Sequence, residues 1–223
     1  YAVTPLANTC PGAPANYVIT VSPAPDVILP QPQTICSGNT ATAVILASAV
    51  SGTTFTWTST AGAAITGNIT SGTGDIPVQT LTNSSSQTDT VIFVITPSAS
   101  ACPGQPATYQ IEVLPQPVVA FAPQAQTICS GQTSLAVNLT SATNGASIAW
   151  TATVPSGVTG ATTSGTNTIP AQTLFNNSVN VIPTPLTVIY TAVATAGVCT
   201  GPQANYTITV NPIPTVDFIQ NID

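Results

Sequence analysis

The sequence contains no lysine, no arginine and no histidine, and six carboxylates give its 223 residues a net charge of −6. Without His or Lys, the usual side chains that act as a general base or activate a serine nucleophile are missing. Without any cationic side chain the protein cannot neutralise phosphate groups, and its negative charge repels polyanions. We therefore expect that the chain is not an enzyme and binds no nucleic acid.

The carboxylates are too sparse to indicate a catalytic pair or a metal site. They are Asp26, Asp75, Asp89, Glu112, Asp217 and Asp223. Paired-carboxylate hydrolysis and calcium binding both need several acids at one site. The five cysteines form no C-x-x-C and have no histidine to accompany them, so zinc has little support. We expect no catalytic residue, no cofactor and no metal, and calcium at Asp26 or Asp217 is the alternative that the sequence leaves open.

Aromatic residues are also scarce, at 5%, although hydrophobic residues make up 43% of the chain. The apolar residues are mainly Val, Ile, Leu and Ala among many Thr and Ser, a mixture that favours strands over helices. Short runs alternate apolar and polar residues, as in Phe55-Thr56-Trp57-Thr58. This period of two places one face of a strand on a core and the other in water. The predicted fold class is all-β.

The sequence repeats itself. The motif Q-T-I-C-S-G at residues 33–38 returns at residues 126–131, an offset of 129 − 36 = 93 residues between the two cysteines. The same offset relates Trp57 to Trp150. A unit of this length is too long for one turn of a solenoid and suits an independent β-sandwich.

The offset changes to 97 after an insertion of four residues near Val181 to Pro185, where C-P-G at residues 102–104 matches C-T-G at residues 199–201. The first residues of the chain match the end of the same unit, with C-P-G at residues 10–12. Each unit closes with Pro-x-Pro, which favours an extended, semi-rigid spacer.

We therefore predict tandem immunoglobulin-like (PKD-like) β-sandwich modules in an extended array. The expected parts are the C-terminal part of a truncated repeat at 1–25, full repeats at 26–117 and 118–214, and the start of a further repeat at 215–223.

Seven strands are predicted in each repeat. In the first they lie near residues 27–35, 42–48, 54–59, 63–69, 77–82, 90–96 and 107–113. Trp57 and Trp150 fall on the third strand, where immunoglobulin-like sandwiches often bury a tryptophan. We interpret both as core residues rather than as platforms for a ligand.

The cysteines are Cys10, Cys36, Cys102, Cys129 and Cys199. We expect disulfides in an oxidising compartment, and the simplest pairing joins Cys36 to Cys102 and Cys129 to Cys199 within the repeats. Cys10 would then pair with a residue outside the chain. However, the motif cysteine and the hairpin cysteine of one sandwich are expected at opposite ends, while a disulfide needs Cα atoms within roughly 7 Å. The alternative is a bond between repeats, from Cys36 to Cys199.

The order of motifs resembles the PKD-like and immunoglobulin-like repeats of giant surface adhesins in gliding Bacteroidetes. The motifs are T-I-C-S-G, a T-W-T strand, I-P-x-Q-T-L, C-P-G or C-T-G, and a final Y-x-I-x-V with P-x-P. The resemblance implies a secreted fibre of the cell surface, attached at the outer membrane and exported by type IX secretion. It also implies contact with the outer-membrane secretion or motility machinery. Asp89-Thr90-Val91 resembles the O-glycosylation signal of that group, which makes Thr90 a candidate O-glycosylation site.

The leading hypothesis is a structural stalk or fibre segment for surface attachment or gliding, whose disulfides give mechanical and protease resistance and whose partners are the neighbouring repeats of the same chain. One alternative is a module that binds surface polysaccharide weakly at many repeats. Another is a subunit that assembles into an extracellular filament or sheath through exposed strand edges. The location of both tryptophans at core positions favours the structural hypothesis.

Overall fold

The computed structural model describes residues 1–178 and 184–214, and the described residues form strands and turns without a helix. The predicted all-β class is confirmed. The predicted start of a further repeat, at 215–223, lies outside the described residues. The strands of the first 25 residues are β1 (Ala2–Val3), β2 (Leu6–Ala7), β3 (Cys10–Pro11) and β4 (Ala15–Asn16). They form one hairpin, in which β1 pairs with β4 and β2 with β3.

The next ten strands form what we call the first module. They are β5 (Gln33–Cys36), β6 (Thr40–Ala41), β7 (Thr54–Ala61), β8 (Ile65–Thr66), β9 (Ser71–Thr73), β10 (Gln79–Thr80), β11 (Thr82–Asn83), β12 (Asp89–Ala99), β13 (Cys102–Pro103) and β14 (Ala107–Leu114). The main sheet has the order β5-β14-β12-β7-β9, and β13 pairs with the end of β12. Short pairs, β6 with β10 and β8 with β11, lie across the core from it.

The remaining strands form the second module with the same plan. They are β15 (Ala120–Ala122), β16 (Ala125–Cys129), β17 (Val137–Thr140), β18 (Ser147–Thr153), β19 (Val158–Thr159), β20 (Ser164–Thr166), β21 (Thr168–Ile169), β22 (Phe175–Asn176), β23 (Leu186–Ala196), β24 (Cys199–Thr200) and β25 (Ala204–Asn211). Its main sheet has the order β16-β25-β23-β18-β20. Across the core, β17 pairs with β15 and β21, and β19 pairs with β22.

Each module has its own hydrophobic core. The alternation of buried and exposed residues along β7, β12 and β14 gives the main sheet one apolar face, as the sequence pattern predicts. Trp57 and Trp150 are both 3% exposed and lie in these cores. A Cβ on Gly72 would overlap the Trp57 ring, and a Cβ on Gly165 would crowd the Trp150 ring in the same way, so the strand opposite each tryptophan needs glycine.

The start of the first repeat is less regular than the sequence pattern predicts. Instead of a strand over 27–35, the first module has the four-residue β5 and one isolated bridge between Ile28 and Ala47. Pro30 and Pro32 explain the difference, because proline has no N–H to donate to a neighbouring strand. The predicted strand over 42–48 is likewise reduced to isolated bridges.

Candidate functional site: the junction between the modules

One side of the junction is the tip of the hairpin between β23 and β24. A two-residue turn, Gly197-Val198, connects these strands, and Ala196 pairs with Cys199. Gly197 has a φ of +58°, a conformation that glycine adopts readily at such a turn. The turn therefore presents the Cys199 sulfur at one end of the second module.

The other side of the junction is the end of β5 in the first module. This edge strand runs parallel to β14, with Cys36 opposite Leu114. The Ser37 amide donates a hydrogen bond to the Leu114 carbonyl oxygen at 2.8 Å, which fixes the chain directly after Cys36. Cys36 therefore lies where the last strand of the first module leaves for the second.

A disulfide joins Cys36 to Cys199 across the junction, with the two Cα atoms 5.6 Å apart and a sequence separation of 163 positions. The simplest pairing expected from the sequence, within each repeat, is therefore wrong, and the alternative bond between repeats, from Cys36 to Cys199, is the one observed. Cys36 lies beside the end of β14, whereas Cys102 lies in the hairpin that precedes β14. The eight residues of β14 separate these ends by roughly 23 Å, far beyond the reach of a disulfide. Cys10, Cys102 and Cys129 are free thiols in the described structure.

The linker between the modules packs against the same hairpin. Pro115 and Pro117 are buried, and the space beside the Pro117 carbonyl oxygen is so tight that a Cβ on Gly201 would overlap it. The Gly201 amide donates to the Ala194 carbonyl oxygen at 2.8 Å, which holds the hairpin backbone in place. The Pro-x-Pro segment thus acts as a docked connection as well as a spacer.

A cleft of 360 Å³ lies between the modules at this junction. The residues that line it are Ser86, Gln87, Thr88, Leu114, Pro115, Thr143, Asn144, Gly145, Ala196 and Gly197. None of these is charged or aromatic. Among the described residues, the hydrogen bonds outside the regular strands join residues of the same module. The disulfide and the docked linker are therefore the main connections between the modules.

The repeated motifs owe much of their sequence to hydrogen bonds inside each module, a role that the sequence analysis missed. The Gln126 side chain accepts from the Leu135 amide at 2.7 Å and donates to the Leu135 carbonyl at 2.9 Å and to the Tyr206 hydroxyl at 2.6 Å. Gln33 bonds in the same way to Thr42 and Tyr109 in the first module. The glutamine recurs because its side chain connects the edge strand to the opposite layer. Its repetition in both units was the feature of the sequence that indicated a shared structural role.

A second glutamine differs between the modules. Gln172 donates to the Tyr190 hydroxyl at 2.7 Å. The equivalent Gln79 is buried, and its amide nitrogen has no hydrogen-bond partner among the described residues, because Phe93 stands where the second module has Tyr190. Burial raises the pKa of Tyr190 to about 12, so its hydroxyl stays protonated at neutral pH.

The carboxylates in the described residues serve separate local contacts. Asp26 accepts from the Ser48 hydroxyl at 2.6 Å and the Ala49 amide at 2.8 Å, and these hydrogen bonds lower its pKa. Asp75 accepts from the Leu46 amide and Asp89 from the Thr90 amide. Residues 1–178 and 184–214 contain no cluster of three or more metal-ligating side chains. Asp217, the other candidate for calcium, lies outside the described residues.

The candidate glycosylation site lies in β12. Thr90 is half-buried beside the core-facing Val91, and it pairs with Glu112 of β14. O-glycosylation of Thr90 stays a prediction.

The sequence of each module matches one family model, that of the PKD-like domain, over residues 33–117 and 126–214. The chain belongs to the PKD-like domain family. The first and second modules are thus two PKD-like domains in tandem, and the disulfide Cys36–Cys199 joins one PKD-like domain to the next.

Solved structures also resemble the two PKD-like domains, at low sequence identity. Mouse cadherin-23 EC22-24 is 13% identical, with a TM-score of 0.43, and the match covers 85% of this chain and 67% of that one. The insect immune protein hemolin is 10% identical, with a TM-score of 0.41, over 96% of this chain and 56% of its own. No curated protein sequence gives a match. The described PKD-like domains contain no helix that is long and apolar enough to cross a membrane.

Proposed function

We propose that the chain is a tension-bearing segment of an extracellular stalk or fibre, in which disulfides between domains carry tension past the folded bodies of the PKD-like domains. The observation that supports this most directly is the Cys36–Cys199 bond. Because it joins the edge strand of the first domain to the last hairpin of the second, tension applied at the two ends passes through the sulfur atoms. Residues 37–198 then lie outside the path of the force.

The same bond limits extension. If both domains could unfold, each would add roughly 250–300 Å of chain, since an extended residue spans at most ~3.6 Å. With the bond intact, only short segments such as residues 26–36 and 199–214 can extend, and these contribute about 100 Å in total. The segment therefore extends much less than an array without such a bond does under loads that unfold a domain.

We further propose that the stalk belongs to a secreted adhesin of the cell surface, attached at the outer membrane, exported by type IX secretion and used for attachment or gliding. The motif order that resembles the adhesin repeats of gliding Bacteroidetes supports this, and so does a disulfide, because such bonds persist in oxidising compartments. The absence of lysine and arginine removes every site for trypsin-like cleavage, which suits exposure outside the cell. Labelling of intact cells with an antibody against this chain checks the location.

Polysaccharide recognition has less support. Both tryptophans are buried, and the cleft at the junction offers no aromatic face to a sugar ring. We propose no enzymatic activity, because the carboxylates of the described residues serve separate local contacts.

Single-molecule force spectroscopy tests the mechanical role. The chain is held through peptide tags at both ends and stretched in oxidising and in reducing buffer. We expect no domain-sized step for the oxidised chain and two steps of roughly 250–300 Å for the reduced chain or for Cys36→Ser. Cys102→Ser is the matched control and should behave as the unmodified chain. Domain-sized steps in the oxidised chain with the bond intact would show that the disulfide does not bear the load.

A further inference from the structure

The free thiols of Cys102 and Cys129 occupy the same positions in their domains as the two bonded cysteines. Cys102 is the first residue after the two-residue turn of its hairpin and pairs with Ala99, just as Cys199 pairs with Ala196. Cys129 is the last residue of its parallel edge strand and lies opposite Asn211, just as Cys36 lies opposite Leu114. Each domain therefore carries one half of the linkage at each end.

The linker before the first domain gives independent support. Pro25 is buried, and a Cβ on Gly104 would overlap the Pro25 carbonyl oxygen, as a Cβ on Gly201 would overlap that of Pro117. The Gly104 amide donates to the Pro97 carbonyl oxygen at 2.9 Å, the counterpart of the Gly201 bond to Ala194. The chain thus enters the first domain along the same path as it enters the second. A preceding domain that continues into this linker would bring its edge-strand cysteine to Cys102.

From these correspondences we propose that Cys102 and Cys129 are cross-linking sites that bond to neighbouring repeats. Cys102 pairs with the T-I-C-S-G cysteine of a repeat on its N-terminal side, and Cys129 pairs with the C-x-G hairpin cysteine of a repeat on its C-terminal side. The exposure of Cys129 and the half-buried position of Cys102 leave both sulfurs accessible. This assignment goes beyond the tension-bearing role and does not depend on it.

The bond forms by thiol–disulfide exchange with an oxidised dithiol protein or a small disulfide as the oxidant. The thiolate of Cys129 attacks one sulfur of the oxidant, and the other sulfur leaves as a thiolate. The thiolate of the neighbouring hairpin cysteine then attacks the Cys129 sulfur of the mixed disulfide and releases the second thiolate. The two cysteines lose two protons and two electrons in total, and the oxidant is reduced to two thiols.

Bonds at successive junctions produce two interleaved covalent paths along the array. One path enters the first domain at Cys102, follows β14 and the linker, and leaves the second domain at Cys129, after only 129 − 102 = 27 residues. The Cys36–Cys199 bond belongs to the other path. Each domain is then flanked by cross-links at both ends.

A head-to-tail fusion of two copies of the chain creates a junction in which Cys129 and Cys102 can meet. Residues 1–214 are followed directly by residues 26–223, so that Cys129 of the first copy faces Cys102 of the second. The fusion is oxidised, remaining thiols are alkylated, and pepsin fragments are mapped by mass spectrometry without reduction. We score only protein in which both copies have formed Cys36–Cys199, because that bond reports correct folding.

We expect a fragment that links Cys129 of the first copy to Cys102 of the second in nearly all such molecules. A Gly/Ser spacer between the copies is the matched control, and it should reduce this bond while it leaves both Cys36–Cys199 bonds intact. Alkylation of Cys129 and Cys102 at the fused junction overturns the proposal. Equal bonding with and without the spacer also overturns it, because the docked linker would then not direct the pairing.

Discussion

A single hydroxyl group distinguishes the cores of the two PKD-like domains at one position. Tyr190 accepts a hydrogen bond from Gln172, whereas Phe93 leaves the buried Gln79 nitrogen without a partner among the described residues. An unpaired buried donor costs about 1–3 kcal/mol, while a satisfied bond contributes about 1 kcal/mol net. The second domain thus has a polar contact that the first lacks.

Exchanging these residues tests this account. Tyr190→Phe should lower the free energy of unfolding of the second domain by about 1–3 kcal/mol. Phe93→Tyr should raise that of the first by about 1 kcal/mol, because the new hydroxyl can accept from Gln79. Native-state hydrogen exchange, read by mass spectrometry, measures the two domains separately. A Phe93→Tyr variant that is less stable than the unmodified chain would show that the site has no room for the hydroxyl.

The buried hydroxyl also predicts how stability depends on pH. The pKa of Tyr190 is raised to about 12 in the folded domain, above its ordinary value near 10. As the pH rises, the unfolded chain therefore loses this proton before the folded domain does. The stability that the protonated Tyr190 contributes is complete below pH ~10 and is lost as the pH rises to ~12. The loss amounts to roughly 2–3 kcal/mol at most. Burial raises the pKa of Tyr206 as well, which acts in the same direction.

Denaturant unfolding at pH ~9 and pH ~11.5 measures this effect. The second domain should be destabilised at the higher pH, and most of the difference should vanish in Tyr190→Phe. Replacing the free Cys10, Cys102 and Cys129 by serine prevents thiol exchange in alkali. A pH dependence that Tyr190→Phe leaves unchanged would mean that other groups cause it.

At the scale of single elements, the hairpins that carry the cysteines use different turns. In the first domain, Ser100 and Ala101 both have positive φ values, of +48° and +62°, which cost side-chain-bearing residues about 1 kcal/mol or more each. In the second domain only Gly197 of the turn has a positive φ, of +58°. The first hairpin therefore adopts a turn that its sequence does not favour.

Ala101→Gly should relieve this cost and stabilise the first domain by about 0.5–1 kcal/mol. Val198→Gly is the matched control, because Val198 does not have a positive φ and glycine there only adds freedom to the unfolded chain. The midpoint of chemical denaturation should thus rise for the first variant and stay level or fall for the second. If the denaturation midpoint shifts equally in the two variants, the positive φ of Ala101 does not destabilise the first domain.

The elements also show what could be predicted from the sequence. Alternation marked the long strands that contain Trp57 and Trp150, because one face of each lies on a core. It failed at residues 27–35, where two prolines prevent regular pairing. The repetition of Gln33 at Gln126 marked a shared role, but it did not identify the partners, because most of these are backbone groups nine residues away in the opposite layer. The pairing within repeats, which was the simplest count, was wrong. The alternative bond from Cys36 to Cys199 followed from placing the two cysteines at opposite ends of one sandwich, and it is the one that the structure contains.

At the scale of the whole molecule, the arrangement of the two domains depends on very few contacts. Their cores are separate, and the hydrogen bonds among the described residues outside the strands stay within a domain. The Cys36–Cys199 bond and the linker docked at Gly201 are two attachment points. Two points restrict bending much more than one, because a single linker leaves a hinge.

Removing either the disulfide or the docked linker should therefore let the two domains bend relative to each other, while both domains stay folded. We expect Cys36→Ser to broaden the distribution of distances between dyes placed at exposed Thr108 and Thr187, as measured by single-molecule energy transfer. Cys129→Ser should leave the distribution narrow, because Cys129 takes no part in this junction. Gly201→Ala displaces the docked linker while the disulfide remains. This variant therefore measures how much the linker, rather than the disulfide, restricts bending between the domains. If Cys36→Ser leaves the distribution unchanged, the linker alone sets the angle between the domains, and the disulfide serves tension rather than orientation.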